Sequence, residues 1–354
     1  MRIRFVVVLS SAVVLAAPAA AGAATKTVTM GATPKQAKVL QRQLSSDANQ
    51  FFRSTVTINA GDAVRFIPFG FHTVDFPKRG GDAQPLFVPG APASGQLDAA
   101  GAPFWFNGQP TFGFNPVLLQ SNFGKTLRYT GAKAVNSGLP LANKPKPMKV
   151  RFPRRGTFNY FCDVHPGMKG KVRVKRRSAA IPSKRADRRA VDKQVAQAVK
   201  AARKLREVDP PDNTVLLGAA NRNGVEFFGM LPETLTVPVG TTVDFRMSQP
   251  SFEAHTATFG PGDPLKEPNS YLGQLAASFE SPTLDPRATY PSEPPGTLAS
   301  YSSTLHGNGF WNTGVLDAVQ SPPPPSGSVT FGQTGSFTFI CLIHPFMKGT
   351  VIVQ

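Results

Sequence analysis

A seven-residue segment occurs twice in this chain, and its surroundings recur with it. Cys162-Asp163-Val164-His165-Pro166-Gly167-Met168 returns 179 positions later as Cys341-Leu342-Ile343-His344-Pro345-Phe346-Met347. Upstream, Val150, Phe152, Gly156, Phe158 and Tyr160 match Val329, Phe331, Gly335, Phe337 and Phe339 without a gap. Downstream, Val172 and Val174 match Val351 and Val353. The same offset aligns Val56, Ile58, Gly61, Val64 and Phe66 with Leu235, Val237, Gly240, Val243 and Phe245. Self-similarity over such a span marks a repeated folding unit, and each copy must bury the same apolar face. That face returns every second residue, the period of a strand lying on a core. The sequence therefore predicts an all-β fold of two homologous sandwiches, over 25–176 and 212–354, each with a hairpin before its Cys and a closing strand after it. The length of 354 residues accommodates two domains of ordinary size.

Between the copies the chain changes character. From Lys175 to Arg206 nearly every charge is positive, which carries much of the formal net charge of +18. Within this run Val191, Val195, Ala198, Ala202 and Leu205 fall at helical spacing, and Pro210-Pro211 stop the pattern. Residues 177–211 thus read as a basic, partly helical linker; a shorter helix is expected over Lys35 to Leu44. Each copy also holds a long Gly- and Pro-rich insertion between its first His and its Cys, at 77–147 and 260–327. Both insertions contain an aromatic-Asn-Gly cluster, Phe104-Trp105-Phe106-Asn107-Gly108 in the first and Gly309-Phe310-Trp311-Asn312-Thr313-Gly314 in the second. Such a cluster serves either as a satellite core that pins the loop or as a surface for a partner domain or subunit. At the start, Arg2 and Arg4 precede an apolar run and then Ala21-Gly22-Ala23, the order of a secretory signal peptide over 1–24. The run is short for a bilayer span, so an exported chain without a transmembrane anchor after cleavage is expected.

The two Cys residues, Cys162 and Cys341, are the only ones in the chain. A disulfide between them would tie the same strand end of two domains together, whereas each has a His three residues on and a Met six residues on. A thiolate, two imidazoles and a thioether form a soft trigonal set with a weak axial donor, which holds copper as Cu(I) and Cu(II) with little rearrangement. Cys162, His165 and Met168 can converge because Pro166-Gly167 bends the chain back. The second imidazole must come from elsewhere: His72 is the only other His of the first copy, and His255 stands at the matching point of the second, after a four-residue insertion. Four of the five His in the chain are absorbed in this way, and the fifth, His306, is expected to be a loop residue.

At these residues the chain resembles the cupredoxins, the plastocyanin and amicyanin family of blue copper proteins, and most of all the short amicyanin ligand loop. The resemblance implies Greek-key β-sandwiches with two type 1 copper sites. It implies His72 and His255 as buried ligands, Cys162 and Cys341 as the thiolates, and Met168 and Met347 as axial ligands. His165 and His344 would be exposed ligands through which electrons pass, with Pro166, Pro345 and Phe346 in an apolar patch around them. Family members often carry Asn after the first His; here Thr73 and Thr256 stand there.

The reading that follows is an exported electron-transfer copper protein and not an enzyme. Its partners would be redox proteins, with the basic linker offering a surface to an acidic partner or an anionic envelope polymer. No nucleic-acid recognition motif is present, so nucleic acid is not an expected partner. The alternatives are a copper-binding or storage protein and, less favoured, a copper oxidase or nitrite reductase. Those enzymes need further His clusters, and one spare His with no His-x-His motif does not build one.

Overall fold

The computed structural model describes residues 23–319 and 323–354. Residues 1–22 of the expected signal peptide lie outside the described residues. The molecule is mostly β, with 34% strand against 16% helix. Among the described residues, the first half forms two five-stranded sheets. One runs, in pairing order, Phe51–Phe52, Thr25–Met30, Ala63–Pro68, Met148–Arg151 and Thr126–Arg128. The other runs Val135–Asn136, Asp75–Phe76, Gly156–Phe161, Lys169–Lys175 and Thr55–Asn59. The second half has a corresponding pair. Its first sheet contains Val225–Leu231, Thr214–Ala220, Thr242–Met247, Ser326–Phe331 and Ser300–Tyr301. Its second contains Thr234–Val237, Lys348–Val353, Gly335–Ile340, Thr258–Phe259 and Trp311–Asn312.

The inward positions are the alternating ones of the repeat. Val56, Ile58, Val64, Phe66, Phe158 and Tyr160 are buried in one core; Val243, Phe245, Phe339 and Val351 are buried in the other. Equivalent rings meet edge to face in both, Phe66 with Tyr160 at 5.2 Å and Phe245 with Phe339 at 5.0 Å between centroids. One expectation is corrected. Met148–Arg151 and Gly156–Phe161 are not a hairpin but lie in opposite sheets, joined by a corner. Gly156–Phe161 forms its hairpin with Lys169–Lys175, Phe161 opposite Lys169. Alternation could not distinguish the two cases, because strands on either side of a sandwich both present one apolar face to the same core.

The halves interlock. Ser46–Ala48 leaves the first half to pair antiparallel with Val225–Leu231 at the edge of the six-stranded sheet. Two helices cover this junction, Pro34–Leu44 and Lys184–Leu205, the second begun by the Ser183 hydroxyl accepting from the Ala186 amide. Leu40, Ala198, Ala202 and Leu205 pack there with Phe52, Ala219 and Val225. Asp187 is buried against Lys26 Nζ at 2.7 Å and Arg53 Nη1 at 3.5 Å. The basic segment is therefore docked by its apolar stripe, while Arg188, Arg189, Lys193, Lys200, Arg203 and Lys204 remain exposed. Among the described residues no helix is long and apolar enough to cross a membrane.

The insertions pack on each other. Phe104 and Phe106 are buried with Leu272, Leu275, Phe310 and Leu342, so the aromatic clusters build one shared satellite core. They are not counterparts of one another. The structural match of Trp311-Asn312-Thr313-Gly314 is Val135-Asn136-Ser137-Gly138: Ser137 Oγ accepts from the Val74 amide at 2.9 Å as Thr313 Oγ1 accepts from the Ala257 amide at 2.9 Å. Both segments turn at a left-handed glycine, Gly138 at φ 71° and Gly314 at φ 67°.

His306 clasps the two insertions. Its Nδ1 lies 3.0 Å from Asp98 Oδ2 and its Nε2 lies 3.1 Å from Glu293 Oε1. Burial opposes its charge, but hydrogen bonds to Glu293 and Asp98 prevail and raise its pKa above the usual histidine value. A raised folded-state pKa means the stabilisation is complete below the unfolded value near 6.5 and is lost as pH rises through the folded one. The Ala99 amide, which donates to the His306 carbonyl, is expected to lose hydrogen-exchange protection between pH 6 and pH 9. His306→Gln should show the weaker protection at pH 6 and a smaller difference from the wild type at pH 9; equal protection of the two proteins at pH 6 would contradict the clasp.

Candidate metal centres

Each ligand loop is closed by the same two backbone hydrogen bonds. The Cys162 amide donates to the Met168 carbonyl at 3.0 Å and the Met168 amide to the His165 carbonyl at 3.0 Å; in the second copy the Cys341 and Met347 amides do the same at 3.1 and 2.8 Å. The strand thus ends at the Cys and the chain folds back over its sulfur. Both Cys are free and buried, so the disulfide alternative is not realised. Met168 and Met347 are buried at the loop ends.

The two groups of potential metal ligands among the described residues are His72, Cys162 and His165, and His255, Cys341 and His344. In the first, His72 Nδ1 and His165 Nδ1 are 3.0 Å apart and Cys162 Sγ is 3.4 Å from His165 Nδ1. In the second, the Nδ1 atoms are 3.2 Å apart and Cys341 Sγ lies 3.6 Å from His255 Nδ1 and 3.8 Å from His344 Nδ1. Both groups therefore turn the same ring nitrogens and the sulfur toward one point, an arrangement suited to a small cation of soft-ligand preference.

The first imidazole of each group stands on a glycine. A Cβ on Gly31, at φ +80°, would lie 2.6 Å from His72 Nε2 and 2.3 Å from the Phe69 carbonyl oxygen; one on Gly218, at φ +78°, would lie 2.9 Å from the Phe227 carbonyl oxygen and 3.4 Å from His255 Nε2. The matching sequences Thr27-Val28-Thr29-Met30-Gly31-Ala32 and Thr214-Val215-Leu216-Leu217-Gly218-Ala219 are a further repeat. Sequence reading missed it because its offset is not that of the main repeat.

Thr73 and Thr256 tie each His-bearing strand to its Cys loop. Their amides donate to Cys162 Sγ at 3.5 Å and Cys341 Sγ at 3.4 Å. Their hydroxyls accept from the amides just after the cysteines, Asp163 at 2.7 Å and Leu342 at 2.8 Å. Two bonds from one residue thus fix both the sulfur and the loop that carries it.

No family model and no curated protein matches this sequence. Among solved structures the chain is similar to amicyanin from Paracoccus versutus, at 18% identity over 41% of this chain and 86% of that one, with a TM-score of 0.22. It is similar to plastocyanin from Dryopteris crassirhizoma at 19% identity over 40% of this chain and 99% of that one, with a TM-score of 0.21. The purple cupredoxin from Nitrosopumilus maritimus matches at 15% identity over 40% of this chain and 100% of that one, with a TM-score of 0.22.

The surroundings of the two groups differ. Behind Cys162, the Asp163 carboxyl accepts from the Thr73 hydroxyl and from Asn136 Nδ2, each at 2.8 Å. Burial, then the neighbouring Asp75, push Asp163 up to about 7. At the second site Leu342 takes this place and joins the satellite core. Burial opposes the Cys162 thiolate, but the charge on His165 and hydrogen bonds from His165 and His72 outweigh it and hold the thiol well below its ordinary range. Around Cys341 burial wins and pushes the thiol up to about 11. Burial and then His344 drive His255 down to about 3.

The outer edges of His165 and His344 meet an unforeseen residue. Glu253 Oε1 lies 3.0 Å from His165 Nε2 and Glu253 Oε2 lies 3.8 Å from His344 Nε2. Glu253 and Phe252 sit on the four-residue insertion that precedes His255; the insertion was visible in the sequence, but nothing local told where it reaches. Phe252 covers Gly167, where a Cβ would meet its ring at 2.4 Å. The implied exposure of the second imidazoles is corrected accordingly: His165 is only 5% exposed and His344 is half-buried. Both border one cleft of about 1210 Å³, also lined by Phe71, Leu141 and Phe346. Phe346 itself is 60% exposed.

Removing a threonine hydroxyl strands a buried amide at Asp163 or Leu342, a loss of roughly 1–3 kcal/mol. Thr73→Val and Thr256→Val are each expected to lower the denaturant midpoint by that order while Thr→Ser restores it; unchanged midpoints in the valine variants would show that these ties are not stabilising.

Proposed function

We propose that this chain is an exported blue copper protein, a tandem duplication of a cupredoxin-like domain with two type 1 sites, which passes single electrons between redox partners. One observation carries the reading: two sets of a thiol and two imidazole Nδ1 atoms, buried but for the half-buried His344, each closed by the same Cys-to-Met loop. The donors fit the metal, since Cys162, His72 and His165 would hold one copper and Cys341, His255 and His344 the other, with Met168 and Met347 offering a thioether to each. When bound, copper supplies a one-electron couple at each site.

The protein's own contribution is rigidity and access. The paired loop hydrogen bonds, the Thr73 and Thr256 ties and the glycine beneath each first imidazole hold the ligands in place, so little has to move when charge changes. The cleft bordering His165 and His344 offers an apolar rim to a redox partner. The exposed cations of Lys184–Leu205 give an acidic partner or an anionic envelope polymer a surface to approach. Copper binding without redox partners would use the same ligands and is separated by electron exchange with a soluble redox protein. His306, the one histidine outside the two sites, is held between Asp98 and Glu293, which leaves no free histidine for a further copper cluster within this chain.

The mature chain with added copper is expected to be intensely blue and to hold about two coppers. Cys162→Ser and Cys341→Ser should each remove about half of the colour, and the double variant all of it. A colourless protein would overturn the reading. The acidic surroundings of the first site, against Leu342 at the second, predict two reduction midpoints. Asp163→Leu should raise only the first; a single midpoint in the wild type would contradict the asymmetry.

A further inference from the structure

Glu253 is placed where a surface ligand would ordinarily face solvent. Its carboxylate has two oxygens and two metal centres to face, and it turns one to each: Oε1 to His165 Nε2 at 3.0 Å and Oε2 to His344 Nε2 at 3.8 Å. The side chain is only 12% exposed. It is also held from a third direction, by Asn49 Nδ2 donating to Oε1 at 2.8 Å. Asn49 follows Ser46–Ala48, the strand that the first half lends to the sheet of the second.

The segment that carries Glu253 is built to hold it there. Ser251 Oγ donates to Glu226 Oε2 at 2.6 Å, and the Phe252 amide donates to Glu226 Oε1. The Phe252 ring seats on Gly167 of the first ligand loop, the position that Phe346 occupies in the second. A bulky residue at Gly167 would displace Phe252, so the sequence difference between the two loops and the insertion before His255 are complementary. The first copy, without the insertion, has no counterpart of Glu253.

We propose that Glu253 is a positioning residue shared by both copper centres, which orients the ring of His165 at hydrogen-bond distance, faces that of His344 as a charge, and couples the two sites; this rests on the copper reading above. A carboxylate on Nε2–H sets the tautomer that leaves the Nδ1 lone pair free for metal, and it makes that nitrogen a stronger donor. With one carboxylate hydrogen-bonded to His165 and its other oxygen 3.8 Å from His344 Nε2, a change of charge at one site is felt at the other. Such coupling is reciprocal: filling either site alters the affinity of the other by the same factor.

The test is a copper titration of the full mature chain against a competing chelator, with one site silenced at a time by Cys341→Ser or Cys162→Ser. Glu253→Gln is expected to weaken copper binding about tenfold or more at the first site, the usual cost of losing an outer partner, and by less at the second. Asn49→Ala, which leaves the carboxylate but removes its anchor, should weaken both in the same direction and by less, and it carries the prediction should the glutamine variant fail to fold. In the two-site chain, filling one site should change the affinity of the other several-fold, and Glu253→Gln should abolish that dependence. A loss confined to one site would overturn the proposal, as would unchanged binding at both in a chain whose wild type takes up two coppers. A wild-type chain that binds no copper would instead overturn the functional reading on which the proposal stands.

Discussion

Bringing a thiol and two imidazoles within 4.8 Å of one another inside an apolar core is costly unless every other polar atom nearby has a partner. Much of this structure answers that requirement. One threonine per copy meets most of it, its amide on the sulfur and its hydroxyl on the next amide of the Cys loop. The insertions then serve the threonines. The Thr256 hydroxyl is hydrogen-bonded to Thr258, which donates to Asn312; the Thr73 hydroxyl donates to Asp163, which also accepts from Asn136. Long segments that look like decoration between the first His and the Cys therefore end as outer support for the two His-Cys-His groups, and their aromatic residues close a satellite core.

The same plan yields two unlike environments. At the first site a buried carboxyl stands behind the Cys loop and Glu253 comes within hydrogen-bond distance of His165. At the second, Leu342 replaces the carboxyl, Glu253 is farther away, and desolvation governs Cys341 and His255. Asymmetry is also how the copies are joined. The insertion before His255 reaches Gly167, Ser46–Ala48 crosses to the other sheet, and Lys184–Leu205 packs its alanine stripe over the junction.

The grouping of His72, Cys162 and His165, and of His255, Cys341 and His344, was legible in the sequence because these residues repeat in register and because histidine is scarce. Most strands were legible from the period-two pattern. Pairing was not: Met148–Arg151 and Gly156–Phe161 alternate as a hairpin would, although they belong to opposite sheets. The Asn-Gly clusters were matched by composition, whereas the true counterpart of Trp311-Asn312-Thr313-Gly314 lacks the tryptophan and reads Val135-Asn136-Ser137-Gly138. Glu253 was hidden for a different reason. Its role depends on contacts between residues 88 and 91 positions apart along the chain, and no local spacing encodes such a meeting.

The central claim is that each copper is bound by one cysteine sulfur and two histidine nitrogens. X-ray absorption at the copper edge of the loaded mature chain tests it most directly. The account predicts one short copper–sulfur distance and two copper–nitrogen distances per metal, and a single copper with the same short sulfur distance in the Cys162→Ser or Cys341→Ser chain. A spectrum of nitrogen and oxygen neighbours alone, with no short sulfur, would contradict it.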